Sequence, residues 1–292
     1  MQIALSGYRG LIGRSLEKKL KELHHEVVRL SREDLYDREG DDLVHFLRGC
    51  DAVVHLAGAP ILQRWTAENR KEILESRTLT TRHLAAALQL LPLEKRPRTF
   101  LSASAIGIYK AGATHDEESR LFDDHFAAEV TRQWEEASEQ LPDEVRRIIF
   151  RISLVLDRKS KLIEQLWLPY RLGLGGPIGS GKQPFPFIHL DDLTSAIVWA
   201  LENSHARGVY NLTAPDSVTN RQFARRFATF LHRPAFIPLP GFVLRLLYGE
   251  AAQLITESPA VVPRKLVTEG FTFRYPTLSE TLAEITASKQ VI

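Results

Sequence analysis

Gly7, Gly10 and Gly13, in LSGYRGLIGRSLEKKL (residues 5–20), stand between an apolar start and a helical pattern. Glycines at this spacing let the backbone turn tightly, approach a pyrophosphate closely and pack helix against strand. The free N–H groups of the following helix then face the phosphates. At the end of the next apolar run, EVVRL, Ser31 and Arg32 precede any acid. A carboxylate at that point would hold the ribose hydroxyls of NAD. A hydroxyl followed by a guanidinium suits a 2′-phosphate instead, because Arg presents a bidentate fork to phosphate oxygens. NADP(H) is therefore the expected cofactor, with Arg9 inside the loop as a second cation.

Other residues could do chemistry. Ser104, in LSASAIGIY, ends a central apolar run, and Tyr109 follows in a loop expected at the carboxyl edge of a sheet, where ligands bind. Tyr109 is read either as a proton donor, with Lys110 or Arg77 supplying charge, or as an aromatic wall. His189, Asp191 and Asp192 offer too few ligands for a metal, and Asp191 is placed to cap the next helix. Gly176 to Lys182 copies the start of a phosphate-binding loop, but Gln183 replaces the magnesium-binding hydroxyl and PFPF stands where a helix must begin. Lys182 and Arg171 either hold an anionic part of a substrate or are solvated charges. Cys50, the single cysteine, sits at the edge of a buried run and reads as an inert thiol in a reducing compartment.

The elements that must position these groups alternate. Apolar or β-branched runs at 2–6, 26–30, 52–57, 98–104 and 146–152 are separated by helical patterns near 11–23, 41–48, 66–91 and 125–141. A further helix spans 191–203. This alternation predicts an α/β fold, a Rossmann-like doubly wound parallel sheet, with a small, mostly helical C-terminal lobe. The Rossmann core is expected over 1–153 plus about 190–214, and the substrate lobe over about 154–189 and 215–292. The tail is expected to hold two or three short helices. Lys+Arg 38 against Asp+Glu 36, with no basic run, argues against nucleic acid as a partner. The most apolar late stretch, 234–255, carries Arg245, Glu250 and three prolines, which argues against a membrane span. With no leader pattern at MQIALSG, the cytoplasm is the expected compartment.

With SGYRGLIG, DAVVHLAGAPI, LSASAIGIY and FIHLDDL in this order, the chain resembles the extended short-chain dehydrogenase/reductases and sugar-nucleotide epimerases. RLGLGGPIGSGKQ, LHRPAFIPLP and PRKLVTEGFTFRYPTL sharpen the resemblance to an atypical epimerase-like subgroup with a short C-terminal domain. It implies cofactor contacts from Gly7, Arg9, Gly10, Leu11, Ile12 and Gly13, and from Ser31 and Arg32. It extends them to Leu56, Ala57, Gly58, Glu72, Arg77, Ser102 and Val155, with Ser104 and Tyr109 as the catalytic candidates. Members usually work through a serine, a Tyr-x-x-x-Lys pair and a helical asparagine. Ser104 matches the serine. Ala127 and Thr131 fall at the tyrosine and lysine, and Arg77 at the asparagine.

Hydride transfer at a carbinol carbon needs a proton to move at its oxygen, and a lysine-tuned tyrosine normally moves it. Ala127 cannot. Arg77 is expected to take over the lysine's cofactor-holding charge but not its tuning of a tyrosine. Two functions follow. One is an NADP(H)-dependent epimerase-like oxidoreductase acting on a small-molecule or nucleotide-linked substrate. The other is a non-catalytic NADP(H) sensor working through its C-terminal lobe. A monomer or homodimer is expected.

Overall fold

The computed structural model describes residues 1–36 and 41–287. The first half runs β1 (Gln2–Ser6), α1 (Leu11–Glu22), β2 (Glu26–Leu30), α2 (Arg32–Tyr36), α3 (Asp41–Leu47), β3 (Ala52–His55), α4 (Ala67–Leu90), β4 (Thr99–Ala105), β5 (Thr114–His115) and α5 (Phe126–Ala137). It continues through β6 (Arg146–Ile152), β7 (Leu154–Leu156), α6 (Lys161–Arg171), β8 (Phe187–His189), α7 (Leu190–Glu202) and β9 (Gly208–Leu212). The tail adds α8 (Asn220–Phe230), α9 (Gly241–Tyr248), α10 (Gln253–Thr256), β10 (Ala260–Val261), α11 (Arg264–Thr268) and α12 (Leu278–Ala287). The tail is thus more helical than its prolines suggest.

Six strands form one sheet in the order β2-β1-β3-β4-β6-β9, every pairing parallel. The chain starts at β1, steps to β2 on one side, then crosses to β3 on the other. The carboxyl ends of β1 and β3 therefore diverge into a crevice, the topological switch point at which doubly wound sheets bind ligands. Both faces are covered. Leu16 and Leu20, one turn apart on α1, pack with Leu193 and Ile197 of α7 against Ile3, Leu5, Leu101 and Phe150. Leu43 and Leu47 of α3 and Leu84 and Leu88 of α4 cover Ala4, Val53 and Phe100 on the other face. Strands buried on two sides are largely apolar, as in AVVH and TFLSAS, and their buried His55, Ser102 and Ser104 find hydrogen-bond partners inside.

A third core, outside the main sheet, joins α6, α8 and α12 through Ile163, Trp167, Phe223, Phe227, Leu278 and Leu282. It is built on the short pairing of β7 with β8. The FIHLDDL stretch ties this lobe to the core. His189, not Asp191, caps α7, its Nδ1 accepting from the Asp191 N–H at 3.1 Å. Asp191 instead pairs with Lys19 at 2.7 Å and Arg274 at 3.2 Å. Asp192, whose pKa burial raises, accepts from the backbone N–H groups of Arg274 and Tyr275. The acids serve as a clasp for the tail, so the expected cap belongs to the residue before them.

Candidate functional site: a dinucleotide crevice and a closed polar network

The turn from β1 to α1 is shaped by missing side chains. Gly7 has φ 70°, and a Cβ there would stand 2.7 Å from the Leu56 carbonyl carbon. A Cβ on Gly13 would lie 2.3 Å from the Gly7 oxygen. No larger residue fits either place without moving backbone, and the close-packed loop leaves space beside it. Two cavities flank it, and Gly7 lines both.

The first, of about 300 Å³, lies between the loop and the end of β2. Arg9, Arg32, Tyr36, Ala57, Gly58 and Glu72 are among its walls. Arg32 Nη2 lies 3.3 Å from Glu72 Oε1, both groups exposed, so a phosphate arriving here competes with a solvated carboxylate for that guanidinium. Arg9 makes no ion pair among the described residues. Ser31 does not line this cavity. Its hydroxyl accepts from Asp34 N–H and its own N–H donates to the Asp34 carboxylate, a reciprocal cap on α2.

The second cavity, of about 310 Å³, lies beyond the loop. Gly10, Leu11, Ile12, Gly13, Leu56 and Val155 meet there with Ala103, Leu154, Ser160, Lys161 and Leu162. Ser102 is not among them. Strand residues alternate faces, so Ala103 looks into the cavity while Ser102 and Ser104 look the other way. The Ser102 hydroxyl donates to the Ala103 carbonyl. Lys161 was invisible to motif reading, because no spacing rule connects a residue after β7 with a loop at the start of the chain.

Beneath the loop the polar groups are self-contained. Ser6 Oγ accepts from the N–H groups of Leu56 and Ala57, fixing the turn that lines both cavities. Thr80 donates to the Ser76 carbonyl, so it accepts from His55 Nε2, and His55 Nδ1 accepts from Ser6 at 2.7 Å. Burial, with the Arg77 guanidinium nearby, pushes the His55 pKa down to about 3. Arg77 itself lies behind the crevice wall. Its Nη2 donates to Ala59 O and its Nη1 to Ile73 O, each at 2.9 Å, with the Trp134 ring 5.2 Å away. A Cβ on Gly58 would come within 3.0 Å of Arg77 Cζ. Burial lowers the Arg77 pKa to about 10, which leaves it charged, and it props the Gly58–Ala59 loop from below.

At the carboxyl end of β4 the side chains satisfy one another. Ser104 donates to Glu135 Oε1 at 2.5 Å, and Arg151 grips the same carboxylate through Nε at 2.8 Å and Nη2 at 2.7 Å. Arg151 Nη1 also donates to the Tyr109 hydroxyl at 2.8 Å, and that hydroxyl donates to Asn211 Oδ1 at 2.9 Å. Arg151 is 2% exposed; burial alone would lower its pKa, but the Glu135 carboxylate raises it overall. Tyr109 is 1% exposed, stacked on His115, and burial raises its pKa. This corrects its expected place. A 3-10 turn at Ile106–Ile108 precedes the tyrosine, which lies buried with its hydroxyl bonded to Arg151, Asn211 and the Asp116 carbonyl.

Ala127 packs with Trp65, Ile73, Val130 and Ala251, so an apolar cluster holding a tail residue surrounds the position matched to the tyrosine. Thr131 donates to the Ala127 carbonyl. Cys50 is buried, and burial pushes its thiol up to about 11, as an inert core residue requires. Among the described residues no group of His, Cys, Asp and Glu is arranged to hold a metal. No helix among the described residues is long and apolar enough to cross a membrane. The Gly176–Lys182 stretch is a packing loop, since a Cβ on Gly176 would lie 2.0 Å from Ile237 O.

A parallel sheet with a glycine turn at its switch point, and cavities on both sides of that turn, defines an NAD(P)-binding Rossmann fold of the short-chain dehydrogenase/reductase type. The family model described as "NAD dependent epimerase/dehydratase family" matches residues 3–213, and the chain belongs to that family. A second model, a domain of unknown function (DUF1731), matches residues 239–285. The bovine epimerase family protein SDR39U1 is 40% identical over 98% of this chain and 100% of its own length. The chloroplastic SDR39U1 homolog of Arabidopsis thaliana is 34% identical over 98% of this chain and 86% of its own. Among solved structures, the human epimerase family protein SDR39U1 (isoform 2), crystallised with NADPH, superposes with a TM-score of 0.90 at 36% identity, covering 98% of this chain and 99% of that one.

Proposed function

We propose that this protein binds NADP(H) in the crevice and works as a cofactor-responsive binding protein, not through the proton-coupled hydride transfer of its tyrosine-bearing relatives. The cofactor half rests on the cradle of Gly7, Gly10 and Gly13, on Arg9 and Arg32 in the first cavity, and on the NADPH bound by the human relative. Gly10, Leu11, Ile12 and Val155 would hold the nicotinamide half, and Ala57, Gly58 and Glu72 the adenosine half. The reduced nicotinamide would carry a transferable hydride, but no tyrosine–lysine pair accompanies it to move the proton such a transfer needs.

The single observation that carries the second half is the closed network. Ser104, Glu135, Arg151 and Tyr109 have each other as partners, and Ala127, in an apolar cluster of its own, carries no group that could move a proton. Its single cysteine, buried, fits a reducing compartment and supports cytoplasmic residence. An oxidoreductase on a small or nucleotide-linked substrate is the second reading, favoured by Ser104 at the carboxyl end of β4. The test is to load the protein with NADPH, add carbonyl metabolite pools, and follow absorbance of the reduced nicotinamide. The expected result is tight binding and no oxidation. Oxidation that Ser104→Ala removes would replace this reading with the oxidoreductase.

A further inference from the structure

Where relatives of the resembled type carry a lysine, this chain has Thr131, and its hydroxyl is bonded within its own helix. Arg77, the residue expected to replace that charge, donates to backbone carbonyls behind the crevice wall. The second cavity nonetheless contains one charged residue. Lys161 shares it with Gly10, Ile12 and Gly13, and every other wall residue is apolar, glycine or serine. Lys161 makes no ion pair among the described residues, and its side chain is exposed.

Its backbone is firmly held. Ser160 caps α6, accepting from the Ile163 N–H, and Ile163, Trp167 and Tyr170 fix the helix in the third core. A lysine on a fixed backbone, beside an otherwise apolar cavity, keeps a mobile ammonium that gains most when an anion enters.

We propose that Lys161 is a cofactor-holding residue that reaches from the far wall to the nicotinamide-side phosphate and its ribose, supplying the charge that Thr131 cannot. It rests on NADP(H) binding and adds to it a contact from outside the sheet's first three strands. The position is peculiar in that it comes from the lobe side of the crevice. Cofactor occupancy is therefore coupled to the helix that carries the third core.

The test compares three probes on the full chain by fluorescence or calorimetric titration: NADPH, NADH and adenosine 2′,5′-bisphosphate. The last contains only the adenosine half. Lys161→Gln is expected to weaken NADPH and NADH alike by about tenfold or more, as loss of a charge-assisted contact does. It should leave the bisphosphate unchanged and flatten the salt dependence of NADPH binding. Lys161→Arg should restore most of the affinity. Unchanged affinity for both dinucleotides in Lys161→Gln overturns the proposal, as does an equal loss for the bisphosphate. If the wild-type chain binds none of the three, the cofactor reading itself has failed, and that result is distinct from a failure of Lys161.

Discussion

The glycine loop presents backbone and space, whereas the carboxyl end of β4 at Ser104 presents side chains already joined to one another. Both lie at the carboxyl edge of the same sheet, yet they respond to a ligand differently. No side chain caps α1 at Gly10, so the first N–H groups of that helix can receive a phosphate. Around Ser104 a carboxylate, a guanidinium, a phenol and an amide are mutually bonded. A buried charge costs several kcal/mol unless it is paired and hydrogen-bonded, so such a network resists being opened by a substrate. Binding and chemistry are separable in this fold, and here the binding half is the accessible one.

The sharpest way to break this contrast is to open the closed end. Glu135→Ala leaves Arg151 buried without its carboxylate and should cost about 3–5 kcal/mol, the usual penalty for an uncompensated buried ion. Thermal or denaturant unfolding measures it. NADPH affinity, taken where the variant is still folded, should stay near wild type. A small stability loss would mean that the network is loose enough to admit substrate.

A middle case is His55, buried beneath the glycine loop between Ser6 and Thr80. Its folded-state pKa, about 3, lies below the unfolded value of 6.5. The unfolded chain therefore takes up a proton first. The neutral histidine's contribution is complete above pH 6.5 and is lost as pH falls toward the folded pKa. The slope is about 1.4 kcal/mol per pH unit for one group, or roughly 2–3 kcal/mol between pH 6.5 and pH 4.5. Stability curves at several pH values should show this slope in wild type and a shallower one in His55→Gln. Equal slopes would remove His55 from the account.

The smallest effect tests the open end. Arg32→Ala should weaken NADPH by about 1.5–3 kcal/mol and leave NADH nearly unchanged, because only the former has a 2′-phosphate. Cofactor titration reads both numbers. Equal losses would show that Arg32 serves the loop rather than the phosphate, and Arg9 would then be the residue to change. The Arg32–Glu72 contact is exposed and contributes little by itself.

Much of the scaffold was legible because its signals are local. β1, β2 and β6 begin and end where their apolar runs do, and α4 starts at Ala67, one residue inside the pattern, with Thr66 as its cap. The glycine cradle was legible for the same reason, since strand, turn and helix lie within 20 residues. Ser31 is ambiguous in sequence because a cap and a phosphate ligand ask for the same hydroxyl at the same place, and here it caps α2. The burial of Tyr109 is not legible, because nothing in SAIGIY announces the turn before it. Glu135 was not singled out at all. Its partners, Ser104 and Arg151, come from two strands that meet only when β4 and β6 pair in register.

The sequence by itself determined the order of strands and helices, the glycine turn and the loss of the tyrosine and lysine. Each is a matter of residue type at a fixed local spacing. Tertiary structure decided which groups face the crevice. Strand alternation turns Ala103 toward it and Ser104 away, burial engages Arg77 and Tyr109 with partners behind the wall, and a helix held by a separate core brings Lys161 to the loop. These outcomes depend on contacts between segments up to about 150 residues apart. No local pattern encodes them, because the same side chain can face either way until its neighbours arrive.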